Sequence, residues 1–137
     1  MRRSELKKVE EIAKKVREKV VKKYRRKFGN DLCGCCAIAS GLLHTELLKN
    51  SITSKIAMVN LKSGGSHCFV IYKGYIVDVT ASQFQQDDIC IFNDRKHRNG
   101  NDWFWYGRRR RIYHSAKDLR KSQLKDWPKE QICPKIK

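Results

Sequence analysis

The stretch that most constrains this chain is a pair of short apolar runs joined by two residues. His67-Cys68-Phe69-Val70-Ile71-Tyr72 and Tyr75-Ile76-Val77-Asp78-Val79-Thr80 flank Lys73-Gly74. A two-residue connection containing glycine is the signature of a tight antiparallel hairpin. Such a turn fixes the register: Tyr72 pairs with Tyr75, Phe69 with Asp78, and His67 with Thr80. Residues two apart on a strand share a face. His67 and Asp78 therefore lie on one side as diagonal neighbours, ~7–8 Å apart at the backbone. An imidazole and a carboxylate can hydrogen-bond across that gap, and a buried Asp in an apolar strand needs such a partner.

Upstream, the apolar period changes to three and four. Leu6, Val9, Ile12, Val16, Val20 and Tyr24 make one stripe of an amphipathic helix over residues 4–27. Gly29 stops it, and Asn30-Asp31 reads as a turn and possible N-cap. Residues 35–48 are rich in Ala and Leu, with small residues first, and read as a buried helix. A strand is expected over 54–61 and a short one over 87–92. The aromatic cluster Trp103-Phe104-Trp105-Tyr106 is a candidate strand, or else packs in the core or at its rim. Residues 115–123 read as a short helix with Ser115 as N-cap and Asp118 at N3. Helices first and strands after predict α+β: N-terminal helices, one bearing a reactive cysteine, packed on an antiparallel sheet. One domain over 1–137 is expected, with a basic helix (1–28), a catalytic core (30–92) and a basic C-terminal extension (93–137).

Lys and Arg exceed Asp and Glu by 31 to 14, a formal charge of +17. That field favours an acidic protein or nucleic acid as partner. The excess sits in the first helix, in Arg108, Arg109, Arg110 and Arg111, and from Lys117 onward. The aromatics beside the arginines could stack on bases. No apolar stretch approaches the roughly 20 residues that span a bilayer. Polar residues follow Met1-Arg2-Arg3 where a secretory leader would be apolar, so the expected location is cytoplasmic. Six cysteines in a reducing compartment are then buried, ligating or reactive rather than bridged. Cys33, Cys35, Cys36, Cys68, Cys90, Cys133 and His67 could in principle ligate zinc. C-x-C-C lacks paired C-x₂-C knuckles, however, and Cys68 points away from His67, so no metal and no cofactor is expected.

The chemistry gathers on three residues. Cys36 opens a helix after a glycine-containing turn, where the helix dipole and unpaired N–H groups favour the thiolate. His67 follows Ser63-Gly64-Gly65-Ser66, and Asp78 shares its face. Cys36 reads as nucleophile, His67 as the base and then acid, and Asp78 as the group that holds the imidazole. The Cys36 backbone N–H and the Asn30 side chain are the expected oxyanion donors. Gln83 reads as a substrate-side or structural residue. Cys35 would be the nucleophile if the helix began one residue earlier, and Cys33 could be a resolving thiol. His44, His97 and His114 read as structural.

These residues also resemble a known superfamily. Cys33-Gly34-Cys35-Cys36 is similar to the C-G-x-C motif that opens the central helix of papain-like cysteine proteases, with Cys36 at the nucleophile position. Ser66 through Phe84, including Asp78-Val79-Thr80-Ala81-Ser82-Gln83-Phe84, resembles the His strand and Asp strand of the transglutaminase-like branch. Trp127-Pro128-Lys129-Glu130-Gln131 is similar to the end of uncharacterised bacterial and phage-type members. The resemblance implies a thiol-dependent acyl-transfer enzyme acting on a protein or peptide: protease, deamidase or transglutaminase-like. Ala37 stands where the proteases carry an aromatic, and Asn30 where they carry Gln; both point away from endopeptidase action. The other reading is a non-catalytic basic module that binds nucleic acid or an acidic protein.

Overall fold

The computed structural model describes residues 3–61, 64–84, 87–97, 106 and 109–135. Trp103, Trp105 and Arg108 lie outside them. The chain is α+β. Helix α1 (Arg3–Phe28) and helix α2 (Cys36–Lys49) precede strands β1 (Lys55–Asn60), β2 (Ser66–Tyr72) and β3 (Tyr75–Asp78). A 3₁₀ turn (Ala81–Phe84), β4 (Cys90–Asn93), a single helical turn α3 (Asp94–His97), β5 (Arg111–Tyr113), α4 (Ala116–Gln123) and a second 3₁₀ turn (Lys129–Gln131) follow. The five strands form one antiparallel sheet in the order β4-β3-β2-β1-β5.

The hairpin has the register that its turn demands: Tyr72 pairs with Tyr75, Ile71 with Ile76 and Val70 with Val77. Lys73 and Gly74 both take positive φ, 44° and 81°, as a primed two-residue turn requires. β3 ends at Asp78 rather than Thr80. The Asp78 Oδ1 accepts from the Thr80 backbone N–H (2.9 Å) and hydroxyl (3.2 Å), folding the chain out of the sheet.

Alternation along the strands gives the sheet two apolar faces. On one, Cys68, Val70 and Tyr72 of β2 and Val77 of β3 pack against the helices. The stripe of α1 is buried there through Val9, Ile12, Val16 and Val20, against Ile38, Ala39, Leu43 and Leu47 of α2. Its lysines and arginines, from Lys7 to Lys27, stay exposed, with one exception. Arg17 is buried and crosses to the far end of β3, donating to the Val79 carbonyl (2.8 Å) and the Ser82 hydroxyl (2.9 Å). On the opposite face Ala57, Val59, Phe69 and Ile76 pack with Tyr106.

The segment expected as an extension belongs to this body. β5 pairs with β1 at the sheet edge. The arginine block supplies that strand because its members are used locally. Arg110 grips both oxygens of Asp94 (2.7 and 2.9 Å), and Arg111 donates to Asn60 Oδ1 (3.3 Å). Within the block Arg110 is neutralised, while Arg109 and Arg111 remain exposed. Helix α4 is capped as its sequence predicts, Ser115 Oγ accepting from the Asp118 N–H (3.1 Å). Among the described residues, no helix is long and apolar enough to cross a membrane.

Gly41, inside α2, lets α4 and the C-terminal segment approach. A Cβ there would overlap Cys133 Sγ and touch the Ala116 Cβ. Glycine to alanine inside a helix ordinarily stabilises, by ~0.5–1 kcal/mol. At this contact Gly41→Ala is expected instead to destabilise, by ~1–3 kcal/mol, in urea unfolding. Adding Cys133→Ala should recover most of the loss in the double variant.

Candidate active site

The loop before α2 sets the thiol in place. Gly34 has φ of +91°, and a side chain there would press on Gln131 Nε2 at 3.3 Å and on Phe28. Cys35 is the residue before the helix and is fully buried; α2 begins at Cys36. Cys36 is therefore at the helix start, where first-turn N–H groups lack intrahelical acceptors. Its Sγ lies 3.9 Å from the Ser66 carbonyl oxygen, at the head of β2.

That position brings it to two side chains of β2. There the charge of its sulfur is coupled to both Cys68 and His67. The Cys68 contact is the larger cause of a Cys36 thiol held well below its ordinary value. Burial opposes that shift, and the His67 hydrogen bond and charge reinforce it. Cys68 is pushed up in return, by the same contact and by burial, and keeps its proton. Cys35 is pushed up to about 12 by burial and by the neighbouring Cys36 charge, which removes it as nucleophile.

His67 is fully buried, on the sheet face away from the helices. Its Nε2 donates to Asp78 Oδ2 at 2.7 Å. Burial by itself would lower the imidazole. The Asp78 charge and hydrogen bond, together with Cys36, overcome it and raise the ring to about 9. Asp78 in turn is lowered despite its burial, by His67, the Thr80 N–H and Tyr106. Oδ1 takes the two Thr80 donors and Oδ2 takes His67 and the Tyr106 hydroxyl (2.8 Å), so both oxygens are satisfied. The Gln83 amide nitrogen lies 3.2 Å from His67 Nδ1 and 3.1 Å from Thr80 Oγ1. It donates to a neutral ring; turned over, it offers its oxygen to a protonated one.

A groove of about 510 Å³ opens beside the thiol. Cys36, Cys33 and Gly34 form one wall, Leu61, Gly64, Gly65 and Ser66 another, with Gln83 between. The C-terminal segment closes it with Asp126, Trp127, Pro128 and Gln131.

Cys36, His67, Asp78 and Gln83 are thus brought together as expected. Asn30 is not. It is exposed and lines a separate surface depression with Arg17, Arg25 and Asp88, because the turn after Gly29 carries it back along α1. The side-chain donor beside the thiol is Gln83 instead. Four contributors went unread in the sequence: Cys68, Tyr106, Trp127 and Gln131. Cys68 does point away from His67 along the strand, yet Cys36 sits at the strand's head and meets both. His44 is structural, its Nδ1 sharing a hydrogen bond with Ser54 Oγ at 3.0 Å. Among the described residues, no group of three or more His, Cys, Asp or Glu side chains is placed to hold a metal ion. No family model, no curated protein and no solved structure matches the chain.

The protonation of the pair leaves a mark on stability. A raised His67 contributes stability that is complete below 6.5 and is lost as pH rises towards about 9. A lowered Cys36 contributes stability that is complete above 9.0 and is lost as pH falls through its folded value. Between 6.5 and about 9 each state binds one proton in the pair, so the two slopes cancel. Cys36→Ala removes the thiol half and that part of the His67 rise that Cys36 supplies, leaving the part that Asp78 supplies. Relative to the wild type, its urea midpoint is expected to fall as pH rises from 6.5.

Proposed function

We propose that this protein is a thiol-dependent acyl-transfer enzyme of papain-like, transglutaminase-like type, working on a protein or peptide in a reducing, cytoplasmic setting. The observation that carries the reading is the buried His67–Asp78 hydrogen bond set beside groove-lining Cys36, whose charge is coupled to His67, with the thiol lowered and the imidazole raised. An inert buried thiol has the opposite shift, as Cys35 and Cys133 do.

The chemistry follows from the protonation states. The Cys36 thiolate adds to an amide or thioester carbonyl carbon, and the π electrons pass to the carbonyl oxygen. Donors for that oxygen are the first-turn N–H groups of α2 and the Gln83 amide. His67 passes its Nδ1 proton to the departing amine or thiol as the carbon–heteroatom bond breaks, leaving a thioester on Cys36. The neutral ring then takes a proton from water or an incoming amine, which attacks the thioester and releases the thiolate. Asp78 is a positioning residue: it holds Nε2–H and stabilises the imidazolium.

Alkylation by iodoacetamide, located by peptide mass spectrometry, tests this. Cys36 is expected to react fastest of the six cysteines at pH 6, where an ordinary thiol is almost wholly protonated. His67→Ala should slow it about tenfold or more and move its profile alkaline. Turnover of an activated peptide thioester should vanish in Cys36→Ala. An ordinary Cys36 profile, indifferent to His67, would sink the enzyme reading.

A further inference from the structure

A second groove, of about 410 Å³, lies on the other side of the C-terminal segment. Its lining is Lys117, Arg120, Lys121, Leu124, Pro134 and Lys135. The first four come from one face of α4 and its end, at spacings of three and four. Ala116, Leu119 and Gln123 occupy the opposite, buried face, so the cations face outward by necessity. Four positive side chains converge there and no acidic one lines the groove. Arg120 is set in place by its bond to the Cys133 carbonyl (3.0 Å). The floor is apolar: Leu124 is 55% exposed, and Pro134 adjoins it.

We infer that this groove binds an acidic, amphipathic peptide segment, whose apolar side chain covers Leu124 and Pro134 while its carboxylates meet Lys117, Arg120, Lys121 and Lys135. Cations around an apolar floor match a ligand that is both negative and greasy. A nucleic-acid strand would instead use aromatic side chains for its bases, and none lines the groove. Of the three basic blocks in the sequence, this surface belongs to the one from Lys117 onward, not to α1 or the arginine run, where Arg110 is already paired.

Asp126, Trp127, Pro128 and Gln131, which line the Cys36 groove, fall in sequence between Leu124 and Pro134 of this one, so one segment of chain serves both. On the reading of Cys36 as nucleophile, the second groove holds an acidic stretch of the substrate while its acyl group enters the first.

The test is fluorescence anisotropy with a labelled peptide of glutamates interspersed with leucines. The comparison probes are the same peptide with serines for leucines, and a single-stranded oligonucleotide of equal charge. The leucine peptide is expected to bind at least fivefold tighter than either. Lys117→Glu with Lys121→Glu should weaken it about tenfold, since exposed ion pairs are individually modest. Leu124→Ser, also at an exposed position, should weaken the leucine peptide and leave the serine peptide unmoved. Cys36→Ala should bind as the wild type does, so failure of the enzyme reading leaves this one standing. Tighter binding of the oligonucleotide, or indifference to both the charge reversal and Leu124→Ser, would overturn it.

Discussion

The buried contact between His67 and Asp78 is the interaction on which the rest of this structure depends. Two ionisable groups at 2.7 Å, almost wholly removed from water, are tolerable only if each is satisfied in every direction. The chain meets that demand from four places. Thr80 closes a turn onto one carboxylate oxygen, Tyr106 crosses from beyond β4 to the other, Gln83 approaches the imidazole Nδ1, and Cys36 completes the ring's environment from the helix start. A charged pair that is costly alone becomes the organiser of a polar network inside an otherwise apolar body.

Supports stand behind these partners. Arg110 holds the Tyr106 carbonyl with its Nε (2.9 Å) and lies over the Phe69 ring. Arg17, buried in the seam between α1 and the 3₁₀ turn, pins Ser82 and so places Gln83 beside it. Two arginines that composition alone would assign to a diffuse basic surface are in fact positioning groups. Among the described residues the charge excess thus divides into a structural minority and a solvated majority, and the α4 groove gathers four cations around an apolar floor.

Local pattern carried a large part of this into the sequence. The hairpin register is written in Lys73-Gly74, and with it the shared face of His67 and Asp78; the cap of α4 is written in Ser115 and Asp118. Both are decided by neighbours within a few residues. What sequence could not carry depends on distant segments meeting. Tyr106 lies 28 positions from Asp78. Gln131 reaches Gly34 only because α4 docks on α2. Asn30 fails for a related reason: nearness in sequence to Cys36 places it near the helix start, but the positive φ values at Leu32 and Gly34 turn the chain away from it. β5 is hard to read because Arg111-Ile112-Tyr113 follows a run of arginines, and its place at the sheet edge depends on pairing with the distant β1.

Tertiary activation of Cys36 also gives its reactivity an unusual relation to folding. Unfolding generally exposes cysteines and hastens their modification, and the buried Cys35, Cys68 and Cys133 follow that rule. Cys36 owes its lowered thiol to Cys68 and His67, which lie some thirty residues away along the chain and meet it only in the native state. Unfolding frees its sulfur from steric cover but returns it to an ordinary, mostly protonated thiol. The shift at Cys36 is therefore a property of the folded chain alone, and denaturation erases at this sulfur what it uncovers at the other buried ones.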